Sequence, residues 1–340
     1  MQIKNETIIL YNCPAAQGAI LCQESEDGVL NEVNAVASAM HALGLACRRH
    51  GVRRLDDVPL VLKEAPGAVV FNLVERLADG PAACNQVPDL CRAAGHPCTG
   101  SSSACLKLTQ NKWYTKERLR ACGIPVPAAC VVPPGRPIES GLVPPPPLIV
   151  KPLCADGSEG IDGASLVHDL GGQLSRAVRR VHAHEGQSAL IEAFVEGREF
   201  NLSLLEMQAG AAVLPLAEID FTLFPGGRPH IVDYAVKWIP GTIPGKVSPR
   251  RVPACAEDSL AACLRANALA VWRACGGNDY IRVDFRVDRS GRPFVIEVNA
   301  NPDISPNAGF PACLAAAGIT FPDFVERLLQ NAVTRAANPG

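Results

Sequence analysis

Long apolar runs and blocks of basic charge are both missing from this sequence of 340 residues. Without a run of about 18 apolar residues, no segment is predicted to span a membrane. The formal net charge of −2 and the scattered basic residues do not favour an extended nucleic-acid surface. The first residues lead into a strand-like segment that is preceded by only one basic residue, Lys4. They lack the basic region followed by an apolar region that is typical of a signal peptide. We therefore expect a cytoplasmic protein with neither nucleic acid nor membrane as a partner.

Paired cysteine motifs are missing as well, because the 14 cysteines include no Cys-x-x-Cys spacing. Cys84 to Cys105 form a series that recurs every seven residues, but Gly95 and Pro97 interrupt any helix that could align its members. Scattered cysteines in a chain of this length are typical of a cytosolic enzyme. We expect small buried thiols rather than disulfides or metal ligands.

The order of strand and helix signals divides the chain into three predicted domains, residues 1–105, 106–192 and 193–335. Hydrophobic residues make up 48% of the chain, which is enough for several cores. In the first domain, short apolar strands alternate with segments of helical spacing, which predicts an α/β unit with a largely parallel sheet. Its predicted strands are 8–11 and 69–71, and its predicted helices are 30–43 and 87–94.

A proline-rich connection and a strand-rich second half mark the other two domains. One helix is predicted over 106–122, and the prolines at 144–147 lead into a strand at 148–151 that ends at Pro152. The remaining predicted elements are a helix at 174–183, a strand at 189–192, helices at 259–275 and 322–333, and a hairpin between those two helices. The predicted fold class is α/β, with an α+β C-terminal part.

Polar side chains occupy one face of that hairpin, which the sequence places at 282–299. Arg282 and Asp284 alternate with apolar neighbours on the first strand, as Glu297 and Asn299 do on the second. Two carboxylates and an amide oxygen, with no cysteine or histidine nearby, form a hard oxygen site that suits Mg²⁺. Arg282 lies two residues from Asp284, so it adds positive charge on the same face.

A loop containing glycine and serine, residues 153–163, follows the strand that ends at Lys151. Gly157 lets backbone N–H groups approach an anion closely, and Ser158 adds a hydroxyl donor. The loop matches neither Gly-x-x-x-x-Gly-Lys-Ser/Thr nor Gly-x-Gly-x-x-Gly at a helix start, so neither a P-loop nor a Rossmann dinucleotide site is predicted. Alone it is a weak signal for phosphate binding, and the order of the polar residues around it strengthens the prediction.

Together these motifs resemble the ATP-grasp superfamily and, within it, the D-alanine–D-alanine ligase-like branch. The resemblance covers roughly residues 5–330, and its specific motifs are Lys151-Pro152, Glu196-Gly197-Arg198-Glu199, and Arg282-Val-Asp-Phe with Glu297-Val-Asn299. It implies a three-domain ATP-grasp fold with ATP held between the central and C-terminal domains. It also implies an ATP-dependent ligase that forms C–N bonds.

The resemblance assigns roles to particular side chains. The residues expected to hold ATP at its phosphates, adenine edge and ribose are Lys112, Lys151, Gly157, Glu192, Ala193, Phe194, Val195 and Glu199. Those expected to act in catalysis are Arg282, Lys237 and Ser158. Those expected to ligate two Mg²⁺ ions, for which Mn²⁺ can substitute, are Asp284, Glu297 and Asn299. The implied partners are small-molecule acid and amine substrates and, as is common in this family, a second copy of the chain in a homodimer.

The implied chemistry accounts for these groups. Phosphorylation converts an unreactive carboxylate into an acyl phosphate, and the transfer needs charge neutralisation by metal, lysine and arginine. The amine then attacks the acyl carbon, and Arg282 would stabilise the developing oxyanion. Because water would hydrolyse the acyl phosphate, loop 153–163 and segment 224–248 are predicted to close as lids.

The acceptor side departs from that branch of ligases. Where they have Asn-x-x-Pro-Gly and a later serine, this chain has Asp303 for the glycine and Ala308 for the serine. A negative side chain repels a carboxylate, so we expect a cationic or uncharged amine acceptor, unless Asp303 points away. Three further residues are candidates for contact with the substrates. Trp238 replaces a tyrosine of the ligases, and Glu75 belongs to the segment that replaces their histidine-bearing loop. Asp27 lies where the ligases have an acidic residue that holds the ammonium group of the first substrate.

The leading prediction is an ATP-dependent carboxylate–amine ligase for an amino acid or small peptide-like substrate, with D-alanyl-D-alanine disfavoured as the product. Two alternatives stay open at this point. One is a nucleotide-binding protein that has lost catalysis, which the altered acceptor motif favours and the full polar set of the hairpin disfavours. The other is an ATP-grasp phosphotransferase that stops after phosphoryl transfer.

Overall fold

Three β-sheets organise the chain in the computed structural model, which describes residues 6–13, 23–183, 186–239, 241–243 and 249–338, with backbone alone at 23–27. The strands are β1 (Thr7–Asn12), β2 (Cys47–Val52), β3 (Val69–Leu73), β4 (Ala129–Val132), β5 (Leu148–Pro152), β6 (Leu166–Val167), β7 (Ala189–Ala193), β8 (Arg198–Met207), β9 (Gly210–Val213), β10 (Ala217–Ile219), β11 (Arg250–Arg251), β12 (Tyr280–Val287) and β13 (Pro293–Asn299). The helices are α1 (Gln23–Ala42), α2 (Asp57–Glu64), α3 (Val87–Ala93), α4 (Ser103–Gln110), α5 (Lys112–Ala121), α6 (Gly172–Ala183), α7 (Tyr234–Trp238), α8 (Asp258–Cys275), α9 (Gly309–Ala316) and α10 (Phe321–Ala337).

The first sheet is parallel and has the order β2-β1-β3. Its central strand β1 and its neighbour β3 are buried along almost their whole length, which explains their continuous apolar sequences. Strand β2 was missed by the sequence analysis because Arg48, Arg49 and His50 interrupt the apolar pattern. Such residues suit an edge strand, whose outer side faces solvent.

The other two sheets are antiparallel and lie in the strand-rich remainder of the chain. One has the order β4-β7-β5-β6, and the other has the order β11-β10-β8-β12-β13 with β9 beside β8. Helix α6 covers the first of these sheets, and α8 covers the second through buried residues such as Leu264 and Val271. The predicted α/β class with an α+β C-terminal part is therefore confirmed.

The single helix predicted over 106–122 is wrong. The chain forms α4 and α5 instead, and Asn111 separates them with an extended backbone of φ −88° and ψ 102°. The Asn111 side chain accepts the N–H groups of Trp113 and Tyr114, and this N-cap starts α5. The break brings Lys112 to the beginning of α5, where its own N–H donates to the Leu153 carbonyl of the glycine-containing loop.

The end of the chain completes the core of its beginning. Phe324, Val325 and Leu328 of α10 pack with α1, β1 and β3 in one apolar cluster. Arg335 of the same helix donates to both carboxylate oxygens of the fully buried Asp279, at 2.8 Å each. The predicted domain boundaries stay a prediction, because the first and last predicted domains share this core.

The remaining predictions about composition concern thiols and membranes. Cys84, Cys91 and Cys105 are buried, and the cysteines that the structure describes are free thiols. Within the described ranges, no helix combines the length and the apolar character needed to cross a bilayer.

Gly197, which precedes β8, allows the close approach that seats this strand beside β12. Its φ is 144°, and a Cβ there would lie 2.0 Å from the carbonyl oxygen of Val287. Because both the backbone conformation and the space exclude a side chain, we expect Gly197→Ala to destabilise the fold by roughly 3 kcal/mol or more. Denaturant unfolding measures this loss. Gly141→Ala is the control, since an added Cβ there meets no atom within 4 Å; equal midpoints for both variants would contradict the expected clash.

Candidate active site

The β12–β13 hairpin brings its four polar side chains to one wall of a cavity. The antiparallel register pairs Asp284 with Glu297 and Arg282 with Asn299. Residues directly opposite each other on paired strands project from the same face of the sheet. Residues two positions apart along one strand also share a face, so both pairs lie on the same face. All four residues line one cavity, which also contains Glu192.

Asp284 is held in place by three hydrogen bonds. Arg282 donates through Nε and Nη2 to its two oxygens at 2.8 and 2.9 Å, and Asn201 Nδ2 donates at 2.9 Å. Burial opposes the charge of Arg282, but Asp284 outweighs burial and raises the pKa of Arg282 above its ordinary value. A carboxylate has about four acceptor positions, so the Asp284 carboxylate keeps one for a cation.

Glu297 and Asn299 complete a donor set that fits a hard divalent cation. Lys112 Nζ lies 3.4 Å from Glu297 Oε1. Burial alone would raise the pKa of Glu297, but the charges of Lys112, Lys151 and Arg282 lower it, so this carboxylate is ionised. No group of three histidine, cysteine, aspartate or glutamate side chains suited to a metal occurs in the described part of the chain. The amide side chain of Asn299 lines the same cavity as the two carboxylates and offers a third oxygen donor.

Lys151 and Glu192, which line the same cavity, belong to a buried lysine–glutamate–lysine triad. Lys151 Nζ donates to Glu192 Oε1 at 2.9 Å, and Lys116 of α5 contacts Oε2 of the same carboxylate. Burial opposes the ionised form of Glu192, but both lysines outweigh burial and lower its pKa. Burial lowers the pKa of Lys116 despite this partner. The sequence analysis assigned no role to Lys116. In the structure, its positive charge helps to balance the negative charge of Glu192, which holds Lys151 in position.

Arg286 organises the segment that was predicted to read adenine and ribose. Its Nη1 lies 3.1 Å from Glu199 Oε2, and its Nε donates to the Val195 carbonyl at 2.9 Å. Its guanidinium lies 4.9 Å from the ring centroid of Phe194. Burial raises the pKa of Glu199, and Arg286 opposes that effect. Ala193 lines the same cavity as these residues.

The two predicted lids contact each other across the cavity. Ser158 Oγ donates to the Val232 carbonyl at 2.8 Å, and Trp238 Nε1 donates to the Gly157 carbonyl at 2.8 Å. Lys237 Nζ lies 4.9 Å from the centroid of the Trp238 ring. The Ser158 hydroxyl therefore joins the lids here, and its predicted catalytic role stays a prediction. Residues 240 and 244–248 of the second lid are outside the described residues.

A second cavity adjoins the first and is lined by acidic side chains. Gly157, Lys237 and Asn299 line both cavities. Glu75 and Asp303, both substrate-side predictions, line the second one together with Trp238. Asp27 belongs to α1, but its side chain is outside the part of the chain that the structure describes.

Glu32 is a residue of this second cavity that the sequence analysis missed. Its Oε1 accepts the Ile304 N–H at 2.7 Å, and its side chain is 3% exposed. Burial and the charges of Glu75 and Asp303 raise the pKa of Glu32 well above its ordinary value. Glu32 interrupts the apolar face of α1 at helical spacing, and that pattern could have identified it.

Comparison with known proteins agrees with this arrangement. A family profile described as the D-ala D-ala ligase C-terminus matches residues 144–330. The D-alanine–D-alanine ligase of Anaeromyxobacter sp. is 30% identical over 311 residues, which cover 90% of this chain and 94% of that protein. An uncharacterized protein y4sG of Sinorhizobium fredii is 34% identical over 267 residues, which cover 78% of this chain and 75% of that protein.

The fold agrees with that of a solved ligase. The Bacillus anthracis D-alanine–D-alanine ligase complexed with ATP superposes with a TM-score of 0.74 over 99% of this chain and 100% of that chain, at 16% identity. These comparisons give no support to a phosphotransferase or to a nucleotide-binding protein without catalysis. The chain therefore belongs to the D-alanine–D-alanine ligase family of ATP-grasp enzymes, which are ATP-dependent ligases that form C–N bonds.

Proposed function

We propose that this protein uses ATP and Mg²⁺ to join a carboxylate to an amine through an acyl phosphate, and that its substrates are amino acids or small peptide-like molecules other than two D-alanines. The observation that carries the proposal is the convergence of Asp284, Glu297, Asn299 and Arg282 on one wall of the cavity that holds the Lys151–Glu192 pair. Phosphoryl transfer needs this combination of hard oxygen ligands and fixed cations.

The residues of the chain divide the work of the reaction between them. Bound Mg²⁺, held by Asp284, Glu297 and Asn299, would neutralise phosphate charge during phosphoryl transfer. Lys112 and Lys151 would bind the phosphates as fixed cations. Arg282, oriented by its two bonds to Asp284, would stabilise the oxyanion that develops when the amine attacks. This orientation costs no rearrangement at the moment of reaction.

Contacts between the lids would keep water from the acyl phosphate. The bonds from Ser158 to Val232 and from Trp238 to Gly157 tie the loop of the central sheet to the segment around α7. Trp238 thereby covers the junction of the two cavities, where the acyl group and the amine would meet. Exclusion of water favours attack by the amine over hydrolysis.

The acidic wall of the second cavity supports an amine acceptor that carries positive charge. Asp303 Oδ1 accepts the Ser305 N–H at 2.8 Å, which turns its carboxylate towards Glu32 and Glu75. No lysine or arginine lies within ion-pairing distance of these three carboxyl groups in the described ranges. A cationic group of the acceptor would be attracted to this acidic wall, whereas a carboxylate placed beside Asp303 would be repelled.

The metal assignment predicts a large loss of turnover when a ligand oxygen is removed. We expect Asp284→Asn and Glu297→Gln to lower Mg²⁺-dependent ADP release by roughly 100-fold or more, because several kcal/mol of charge stabilisation are lost. ADP release is measured while amino acids are screened in pairs, with products identified by mass spectrometry. Asp288→Asn is the matched control, because Asp288 lies in the exposed turn of the same hairpin and asparagine preserves its turn contacts. Unchanged turnover in the two ligand variants would contradict the metal site.

The substrate assignment predicts weak activity with D-alanine. Wild-type protein should release little ADP with D-alanine as the only amino acid and should prefer pairs whose acceptor carries a positive charge in addition to its reacting amine. Asp303→Gly removes the acidic side chain and should increase the rate with D-alanine relative to the cationic pair. The dipeptide is quantified by mass spectrometry. Rapid D-alanyl-D-alanine formation by the wild type would overturn the proposed difference in substrates.

The raised pKa of Glu75 predicts that the stability of the folded protein depends on pH. Poor solvation of the carboxyl within the cavity, and then the charge of Asp303, raise the pKa of Glu75 from 4.5 to about 8, but the residue as a whole is solvent-exposed, which weakens the effect of this shift on stability. The folded chain thus retains a proton that the unfolded chain releases, so this contribution is complete below pH 4.5 and is lost as the pH rises through about 8. Glu75→Gln mimics the protonated form. It should match the wild-type Tm near pH 5 and exceed it by about 2 °C near pH 9.

Thermal unfolding across this pH range measures the difference between the two proteins. Glu139→Gln, a change at an exposed glutamate, is the control and should follow the wild type at every pH. A Tm difference for Glu75→Gln that does not depend on pH would contradict the raised pKa.

A further inference from the structure

Arg250 is a cation in the nucleotide cavity that the proposed mechanism does not use. It lies in β11, where it pairs with Ile219 at the edge of the third sheet, and its side chain lines the cavity together with Arg282. Its Nε is buried and has no hydrogen-bond partner in the described part of the chain. A buried donor without a partner is costly, so the site is built to receive an acceptor that arrives with a ligand.

The space for this guanidinium exists because residue 309 has no side chain. A Cβ on Gly309 would lie 3.0 Å from Arg250 Cζ and 3.1 Å from both Nε and Nη2. Gly309 is the first residue of α9, and the preceding Ala308 offers no side-chain cap to the helix. The guanidinium therefore lies beside the uncapped N–H groups of the first turn, which also favour an anion.

The two arginines of this cavity differ in how their charges are balanced. Arg282 is neutralised by its two hydrogen bonds to the Asp284 carboxylate. Among the described residues, no carboxylate lies within ion-pairing distance of Arg250. Burial and then the charge of Arg282 lower the pKa of Arg250. An oxyanion would satisfy the guanidinium donors and the first turn of α9 together.

We propose that Arg250 and the first turn of α9 receive a carboxylate carried by the amine substrate. Lys112 and Lys151 are the cations that we propose for the ATP phosphates, whereas Arg250 lies beside Gly309, which follows the altered acceptor position Ala308. The inference rests on the proposed ligase function for the identity of that substrate. A substrate held in this way presents its carboxylate to Arg250 and a cationic group other than its reacting amine to the carboxyl groups around Asp303.

Anion binding with the nucleotide site filled tests the proposal. Wild type, Arg250→Gln and Arg251→Gln are saturated with a non-hydrolysable ATP analogue and Mg²⁺, and then titrated with acetate or with acetamide at constant ionic strength. Arg251 is the matched control, since it is adjacent in β11 but 57% exposed and paired with Asp220. Wild type and Arg251→Gln should bind acetate in preference to acetamide. Arg250→Gln should bind acetate about tenfold more weakly or worse, with unchanged affinity for the nucleotide.

Gly309→Ala adds a second variant that retains the arginine. The new methyl group displaces the guanidinium, so acetate affinity should fall although the charge is unchanged and alanine suits a helix. Acetate binding by Arg250→Gln equal to that of the wild type, or no preference for acetate over acetamide in the wild type, would overturn the proposal. Loss of nucleotide affinity in Arg250→Gln with normal acetate binding would assign the arginine to ATP and also overturn it.

The same titration without nucleotide separates this proposal from the proposed function. If the ATP analogue does not bind to the wild type, the ligase proposal fails. Arg250-dependent acetate binding would then still support the anion site, and its absence would overturn the site as well.

Discussion

The register between β12 and β13 is the constraint on which the site depends. A slip of one residue would turn the carboxylates of Asp284 and Glu297 to opposite faces of the sheet. Two features at the far end of the hairpin resist that slip. Asp288 accepts the N–H groups of Ser290 and Arg292 within the turn, and the absence of a side chain at Gly197 lets β8 meet the end of β12. The position of the proposed metal ligands thus depends on contacts remote from the cavity as well as on the shift in register between Asp284 and Phe285.

Charge balance divides the cavity walls into two kinds. Most buried cations have a fixed partner, as in the pairs of Lys151 with Glu192, Arg286 with Glu199, and Arg282 with Asp284. These pairs hold their members in position for the nucleotide and metal contacts that we propose. Unmatched charge is found on the substrate side, as carboxyl groups around Asp303 and as the guanidinium of Arg250. Such unmatched groups are costly in the free protein, and an acceptor with a carboxylate and a positive charge beyond its reacting amine would satisfy both.

The hairpin could be predicted from sequence because strand alternation directly gives the face of each side chain. The break at Asn111 could not, because the helical spacing continues through it and only the N-cap hydrogen bonds distinguish a cap from an interior asparagine. Glu32 interrupts the apolar face of α1, but it was missed because its burial and its bond to the Ile304 N–H are visible only in the fold. Arg250 was missed because its role depends on Gly309, which is distant in sequence and contributes only the absence of a side chain.

The changes in the acceptor motif form one set when they are considered in space. Asp303 brings negative charge where the ligases of this branch have glycine, and it is turned towards Glu32 by its bond to Ser305. Ala308 removes a hydroxyl from the start of α9, but Gly309 next to it makes room for the Arg250 guanidinium. The hydroxyl donor of the serine is therefore replaced by the charged guanidinium of Arg250. The part of the cavity that would face the amine gains an acidic side chain, Asp303. Because the two changes have opposite sign, they are better explained by selection of a differently charged acceptor than by loss of catalysis.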